Sequence, residues 1–334
     1  MFANGEVLIQ KYGGSSMGSA ERIKKAAARI AKKAFKGYPM VVVVSAMGDT
    51  TDDLISLVGS VTQKASRREL DSVMATGEIV SASLMACALS DLGIKAKSFN
   101  AFNLGLYTEL QGEDYNIVDI GRKQELCKFL RNGDKGNVAV VAGFQGITRE
   151  GDFTTLGRGG SDLTAVVMAR SLGQKVCEKY TDEDGIYTAD PRILPDASKV
   201  WHLDYSEMLE LAKSGNGILH PRAISTAKES EIRIHVRSSF TKEEGSVIGP
   251  DGDRLIPIKS ITLKKRDSET TAISVVGSGL AEDAALVQKL IAASAGEWVK
   301  QVNHFGIRLE ILVDSNFALS AISTLHSFVV EVQQ

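Results

Sequence analysis

Three short segments and one isolated glutamate carry residue types that could do chemistry. In Lys11-Tyr12-Gly13-Gly14-Ser15-Ser16 a lysine closes an apolar run, and a loop of small residues leads into a helical pattern. Glycines let backbone N–H groups approach phosphate oxygens, a helix N-terminus adds partial positive charge, and the lysine adds a full one. The spacing is neither a Walker loop nor the dinucleotide fingerprint, and a plain strand–helix turn is the competing reading. Thr155-Leu156-Gly157-Arg158-Gly159-Gly160-Ser161-Asp162 sets an arginine between glycines, where its fork can grip a carboxylate or phosphate, and Ser161 or Asp162 suits a helix cap. Thr181-Asp182-Glu183-Asp184-Gly185-Ile186-Tyr187 and the following Thr188-Ala189-Asp190-Pro191-Arg192 come directly after a strand, at the sheet edge where α/β proteins bind ligands. Their carboxylates, ring and arginine suit ribose hydroxyls, a base and phosphate, and a solvated acidic turn is the bland alternative. Glu78, in Thr76-Gly77-Glu78 at the start of an apolar helical stretch, suits a substrate ammonium group or plain exposure.

The elements that must position these residues alternate. Val7–Lys11, Met40–Val44, Val138–Ala142, Lys175–Tyr180 and Ile232–Val236 read as strands. Helices are expected from the spacing of Ile23, Ala27, Ile30 and Ala34, and over Asp52 to about Val61, about Leu70 to Leu92, and Asp162–Leu172. That rhythm implies an α/β fold with a mostly parallel sheet. The apolar runs Met40–Val44 and Val138–Phe144 are too short to span a bilayer and suit buried parallel strands. Glycine and proline gather between Thr241 and Pro257, so a boundary is expected there. Beyond it, strands at Ala272–Val276, Trp298–Asn303, Ile307–Val313 and Phe328–Val332, with helices at Asp283–Ser294 and Asn316–His326, give β-α-β-β-α-β, the ferredoxin-like α+β pattern. The expected organisation is a catalytic domain over 1–248, a linker over 249–260 and a smaller domain over 261–334.

Composition excludes several function classes. Lys and Arg number 39 against 41 Asp and Glu, so no global field draws the chain to nucleic acid or an anionic membrane. Lys24, Lys25, Arg29, Lys32 and Lys33 read as the solvated face of one helix. Cys87, Cys127 and Cys177 are far apart, which argues against a disulfide framework and for a reducing cytosol. The histidines are scattered, and no zinc pattern emerges. The first residues lack the basic-then-apolar order of a signal peptide. A cytoplasmic globular protein without its own metal site is expected.

Together the motifs resemble the amino-acid kinase family and, within it, the aspartate kinases. The resemblance runs in order from about Val7 to Val247, through Lys-Tyr-Gly-Gly-Ser-Ser, Val-Ser-Ala-Met-Gly-Asp-Thr-Thr-Asp at 44–52, Gly-Arg-Gly-Gly-Ser-Asp at 157–162 and Thr-Asp-x-Asp-Gly-Ile-Tyr-Thr-Ala-Asp-Pro-Arg at 181–192. The part beyond the boundary looks like an ACT regulatory domain. The resemblance implies transfer of the ATP γ-phosphate to the side-chain carboxylate of L-aspartate, giving 4-phospho-L-aspartate, a first step toward lysine, threonine and methionine. It implies that Lys11 neutralises the transferring phosphoryl group, that Gly13, Gly14 and Ser15 line the phosphate loop, and that Ser45, Thr51, Glu78, Arg158 and Ser161 hold aspartate. Asp162 would orient the catalytic lysines, Thr181, Asp182, Tyr187 and Arg192 would contact ATP, and Mg2+ would bridge the phosphates. A homo-oligomer joined partly through the ACT-like domain, and an amino-acid effector, are further expectations. A carboxylate with a pKa of about 4 is already ionised at neutral pH and needs no general base, which fits the lack of a catalytic histidine.

Two departures from the family pattern stand out. Gly217 occupies the place of a family lysine that assists the phosphate, and Lys213 or Lys179 are the candidates to reach the same space. One ACT unit is recognisable where aspartate kinases carry two, and its first loop, Gly277-Ser278-Gly279-Leu280, lacks the family's proline-glycine start. Two competing functions are a catalytically weak regulatory paralogue, favoured by Gly217, and a kinase for another small acid such as glutamate or an acetylated amino acid. Glu78 argues against an acylated amine.

Overall fold

The computed structural model describes residues 6–132, 136–253, 255–294 and 296–333. They form two compact units, one of residues up to Asp182 with Glu229–Glu243, the other of Glu183–Lys228 with the residues from Glu244 on. The chain begins with β1 (Leu8–Tyr12), α1 (Gly14–Met17), α2 (Ala20–Ala34), β2 (Met40–Val44), α3 (Thr50–Val61), α4 (Arg67–Asp91), β3 (Ala96–Phe99) and α5 (Ala101–Leu104). It continues with β4 (Leu106–Gln111), β5 (Asp114–Ile120), α6 (Lys123–Arg131), β6 (Val138–Ala142), β7 (Gln145–Ile147), β8 (Phe153–Thr155), α7 (Gly160–Ser171) and β9 (Val176–Thr181). Next come β10 (Ile186–Tyr187), β11 (Lys199–Val200), β12 (His202–Asp204), α8 (Tyr205–Lys213), α9 (Pro221–Glu229), β13 (Arg233–Ser238) and β14 (Ser246–Gly249). The last stretch is β15 (Ser260–Lys265), β16 (Thr270–Val276), α10 (Gly279–Glu282), α11 (Ala284–Ser294), β17 (Val299–Phe305), β18 (Arg308–Asp314) and α12 (Ala318–Gln333).

In the first unit β13, β9, β1, β2, β6 and β3 lie side by side in that order, all parallel. Every residue of β2 and of β6 is buried, which is why both read as unbroken valine-rich runs rather than alternating ones. α2 lays Ile23, Ala27, Ile30 and Ala34 against Met85 and Leu89 of α4 and Val42 and Val140 of the sheet. Its Ser19 cap accepts a hydrogen bond from the Arg22 amide at 3.3 Å. Lys24, Lys25 and Lys32 are exposed as expected, but Arg29 is not part of a solvated face. Its guanidinium donates to the carbonyls of Ser238, Ser239 and Thr241 at 3.0, 3.0 and 2.9 Å, tying the helix to the end of β13. Among the described residues α4 is the one helix long and apolar enough to cross a bilayer. Here its apolar face, Met74, Ala75, Ala82, Met85 and Leu89, is buried in protein.

A second, mostly antiparallel sheet, β5-β4-β7-β8, left little trace in the sequence. Its hairpin is half exposed, with Glu109, Leu110 and Gln111 all open to solvent, so no clean apolar alternation marks it. In the second unit, β15-β16-β18-β17 form an antiparallel sheet. Leu286, Leu290, Ile322, Leu325 and Val329 pack against Ile273, Val275, Leu309 and Ile311. The expected strand at Phe328–Val332 is instead the end of α12. The buried positions Ala318, Ile322, Leu325 and Val329 keep helical spacing through it, and that packing overrides the β-branched run. The edge place beside β16 is filled from upstream, by β15. The ferredoxin-like α+β layout is therefore present, with its outer strand supplied from before the repeat instead of after it.

Candidate active site

Parallel strands deliver their C-terminal ends to one edge, and the motif residues of the first unit gather there. Lys11 lies near the end of β1, and α7 brings Asp162 against it, with Lys11 Nζ 2.9 Å from Asp162 Oδ1. Lys179, from β9, reaches the other oxygen of the same carboxylate, Nζ to Oδ2 2.5 Å. All three are buried. Burial alone would raise the Asp162 pKa, but the two ammonium groups outweigh it and bring it down to about 2. Burial, assisted by the like charge of Lys11, lowers Lys179 to about 8 against the pull of Asp162. The carboxylate is thus held ionised as the common anchor of two cations.

Some of the residues expected to hold aspartate lie near this anchor. Ser45, just past β2, has its hydroxyl 2.9 Å from that of Ser161 on α7. Glu78, on α4, accepts from the Ala46 amide at 3.0 Å through Oε1. Its Oε2 is buried and has no hydrogen-bond partner among the described residues. Burial pushes its pKa up to about 7, against the backbone bond from Ala46 and the nearby charge of Lys11. Two glycines that sequence reasoning passed over allow these approaches. A Cβ on Gly77 would lie 2.9 Å from Ala46 Cβ, and one on Gly143 would lie 2.7 Å from Ser161 Cβ and 2.9 Å from Val43 Cγ1. The signal for both is a glycine inside or next to an apolar element, where close approach is the usual reason.

Gly13, Gly14 and Ser15 wrap the end of β1. Gly13 donates to the Tyr180 carbonyl at 3.1 Å. Gly14 and Ser15 stand in the first turn of α1, where amides have no intrahelical acceptor, and no other backbone acceptor meets them among the described residues. Thr51 is half-buried in the first turn of α3. Arg158 is exposed between Gly157 and Gly159, both with φ of 71°, and makes no ion pair among the described residues. Thr181 ends β9 and donates to Asp182 Oδ1 at 2.9 Å. Tyr187 and Arg192 belong to the second unit, so the structure does not unite them with the cluster just described. Tyr187 donates to Asp184 at 2.7 Å, and Arg192 grips Asp190 through two nitrogens at 2.9 and 2.8 Å. Both line a cavity of about 140 Å³, with Gly217 and Thr262 also in its wall. Among the described residues, no cluster of three or more His, Cys, Asp or Glu could hold a metal ion.

The amino acid kinase family profile matches residues 6–238. The chain belongs to that family. Among its relatives in the family, the aspartokinase of Geobacillus stearothermophilus is 38% identical over 311 residues, covering 92% of this chain and 72% of the relative. The aspartokinase of Thermus thermophilus is 46% identical over 242 residues, covering 72% of this chain and 59% of the relative. The chain thus spans between about six-tenths and seven-tenths of these relatives' length. Among solved structures, aspartate kinase from Synechocystis aligns with a TM-score of 0.65 at 27% identity, covering 97% of this chain and 70% of that one. E. coli aspartokinase III, solved in complex with aspartate and ADP, shares the fold at a TM-score of 0.81 and 17% identity, covering 96% and 99%. The relatives and solved structures it resembles are thus aspartokinases, as its motifs implied.

Proposed function

We propose that this chain transfers the γ-phosphoryl group of ATP to the side-chain carboxylate of L-aspartate, giving 4-phospho-L-aspartate. The observation that carries the reading is the unpaired, buried Oε2 of Glu78 close to a lysine-held carboxylate. A buried carboxylate oxygen without a partner is costly, and a substrate ammonium group is the counter-charge that relieves it. Ser45, Thr51 and Ser161 complete the aspartate pocket, and Arg158 takes a carboxylate in its fork.

In the reaction a carboxylate oxygen of aspartate forms the new bond to the γ-phosphorus. The bond from that phosphorus to the β,γ-bridging oxygen breaks, and ADP leaves with the electron pair. No proton moves, because the nucleophile is already ionised. The residues of the chain therefore act by positioning and by charge. Lys11 and the free amides of Gly14 and Ser15 donate to phosphate oxygens, with Gly13 shaping the turn, while Asp162 keeps Lys11 aimed. Thr181 and Asp182 in the first unit, and Tyr187 and Arg192 in the second, are assigned to ATP, each on its own chemistry. Mg2+ bound with the nucleotide would supply neutralising charge at its phosphate oxygens. Cytoplasmic location, a homo-oligomeric state and an amino-acid effector acting on the ACT-like part belong to the same reading.

The test is ATP- and magnesium-dependent formation of an acyl phosphate, trapped as the hydroxamate, with aspartate, glutamate and N-acetylglutamate compared. Turnover with aspartate alone supports the reading, and turnover with either competitor at equal rate sinks it. A second reading, a regulatory paralogue that binds ATP without turnover, is favoured by Gly217 and would show as ATP binding with no hydroxamate from any acid.

A further inference from the structure

We propose that Lys179 is a second catalytic cation of this site, abreast of Lys11, donating to the oxygens of the transferring phosphoryl group. The proposal deepens the kinase reading above and rests on it. Lys11 and Lys179 are directly paired neighbours on the parallel strands β1 and β9. The residues that follow them, Tyr12 and Tyr180, point to the opposite face and stack with ring centroids 4.8 Å apart. A one-residue slip would break that stack and turn one lysine away, so the register itself holds the two ammonium groups side by side. Each meets a different oxygen of Asp162, at 2.9 and 2.5 Å.

Asp162 from α7 and Lys11 from β1 face Lys179, as does the thiol of Cys177 two residues earlier on β9. Glu78 from α4 faces Lys11. The thiol stays neutral, because burial raises its pKa to about 12. Two buried ammonium groups thus share one firmly ionised carboxylate. Even a matched buried ion pair is often no better for stability than apolar packing. An aliphatic residue at 179 would serve the strand at lower cost, so a second ammonium group abreast of Lys11 on the same carboxylate is better explained by an anion that comes and goes. A phosphoryl group in transfer, with charge spread over its outer oxygens, is such an anion. Lys213, the other lysine in view for the place left by Gly217, is half exposed and bonded to Glu210 at 2.7 Å. It belongs to the second unit.

The experiment compares wild type, Lys179→Met, Lys179→Arg and Lys213→Met in the hydroxamate assay, with ATP affinity by calorimetry and Tm for each. In Lys179→Met, kcat is expected to fall by about 100-fold or more and the Kd for ATP to rise about tenfold, while Lys213→Met behaves as wild type. A Lys179→Met enzyme within about threefold of wild-type kcat overturns the proposal. Because Lys179 acts when protonated, wild-type kcat/KM should decline as pH rises through about 8, and Lys179→Arg should move that decline to higher pH. A merely structural lysine would shift Tm and leave the pH limb in place, and an unmoved limb overturns the proposal even if Lys179→Met does not fold. Should wild type turn over no acid, the aspartate reading fails by itself. ATP affinity then decides Lys179: a weakened Kd in Lys179→Met supports the contact, and an unchanged Kd refutes it.

Discussion

At the scale of single residues, the site is built from charges held where water is scarce. Glu78 shows this in its pH behaviour. Its folded pKa, about 7 against an ordinary 4.5, means the folded state keeps the proton more tightly than the unfolded one. This carboxyl therefore favours folding below its unfolded pKa, and that contribution is lost as pH rises through about 7. Glu78→Gln keeps an acceptor for the Ala46 amide and removes the charge. Its Tm relative to wild type should rise by about 2 °C or more between pH 5 and pH 8, followed by calorimetry, while aspartate affinity falls about tenfold. Arg158 offers a separate check. It is exposed and makes no ion pair among the described residues, so Arg158→Ala should leave Tm within about 1 °C. It should raise KM for aspartate much more than KM for ATP, and equal changes would remove it as the carboxylate clamp.

At the scale of elements, the site depends on how closely α7 and α4 approach the ends of the parallel strands. Gly143 sets one of those distances. A methyl group there would meet Ser161 Cβ at 2.7 Å, Val43 Cγ1 at 2.9 Å and the Ser161 backbone at Cα at 3.0 Å. Gly143→Ala should cost about 1–3 kcal/mol in chemical denaturation. It should also lower kcat, because the start of α7 carries both Ser161 and Asp162. A variant with full stability and full activity would show that α7 can shift without harm. The same elements explain what could be read beforehand. β1, β2, β6 and β9 were legible because buried parallel strands are apolar runs, and α2 because its stripe repeats every three to four residues. The β4–β5 hairpin was not, since solvent covers half of it. The end of α12 was misread because Phe-Val-Val-Glu-Val is strand-like by composition, and only its packing on the sheet shows otherwise.

At the scale of the whole molecule, the chain joins a parallel α/β unit to a unit containing an antiparallel α+β sheet. That sheet has two outer strands; on β15 the Ile261 amide already donates to the Thr188 carbonyl, while β17 carries the half-exposed Phe305. Open sheet edges are ready surfaces for pairing with another chain. A homo-oligomer is therefore expected, and light scattering on the purified chain should give a mass at least twice 35.9 kDa. A strictly monomeric mass at micromolar concentration would withdraw that part of the reading.

The sequence by itself determined the family, the α/β class, the ferredoxin-like character of the last part and the identity of Lys11, Glu78 and Asp162 as candidates. These follow from short-range pattern: residue types, order and period survive without knowledge of contacts. Tertiary structure alone decided that Arg29 leaves the lysine stripe to cap β13, that β15 fills the sheet edge, and that Lys179 stands beside Lys11 on Asp162. Those facts depend on which strand lies next to which and in what register, and residues 11, 162 and 179 become neighbours only when the parallel sheet brings distant segments together.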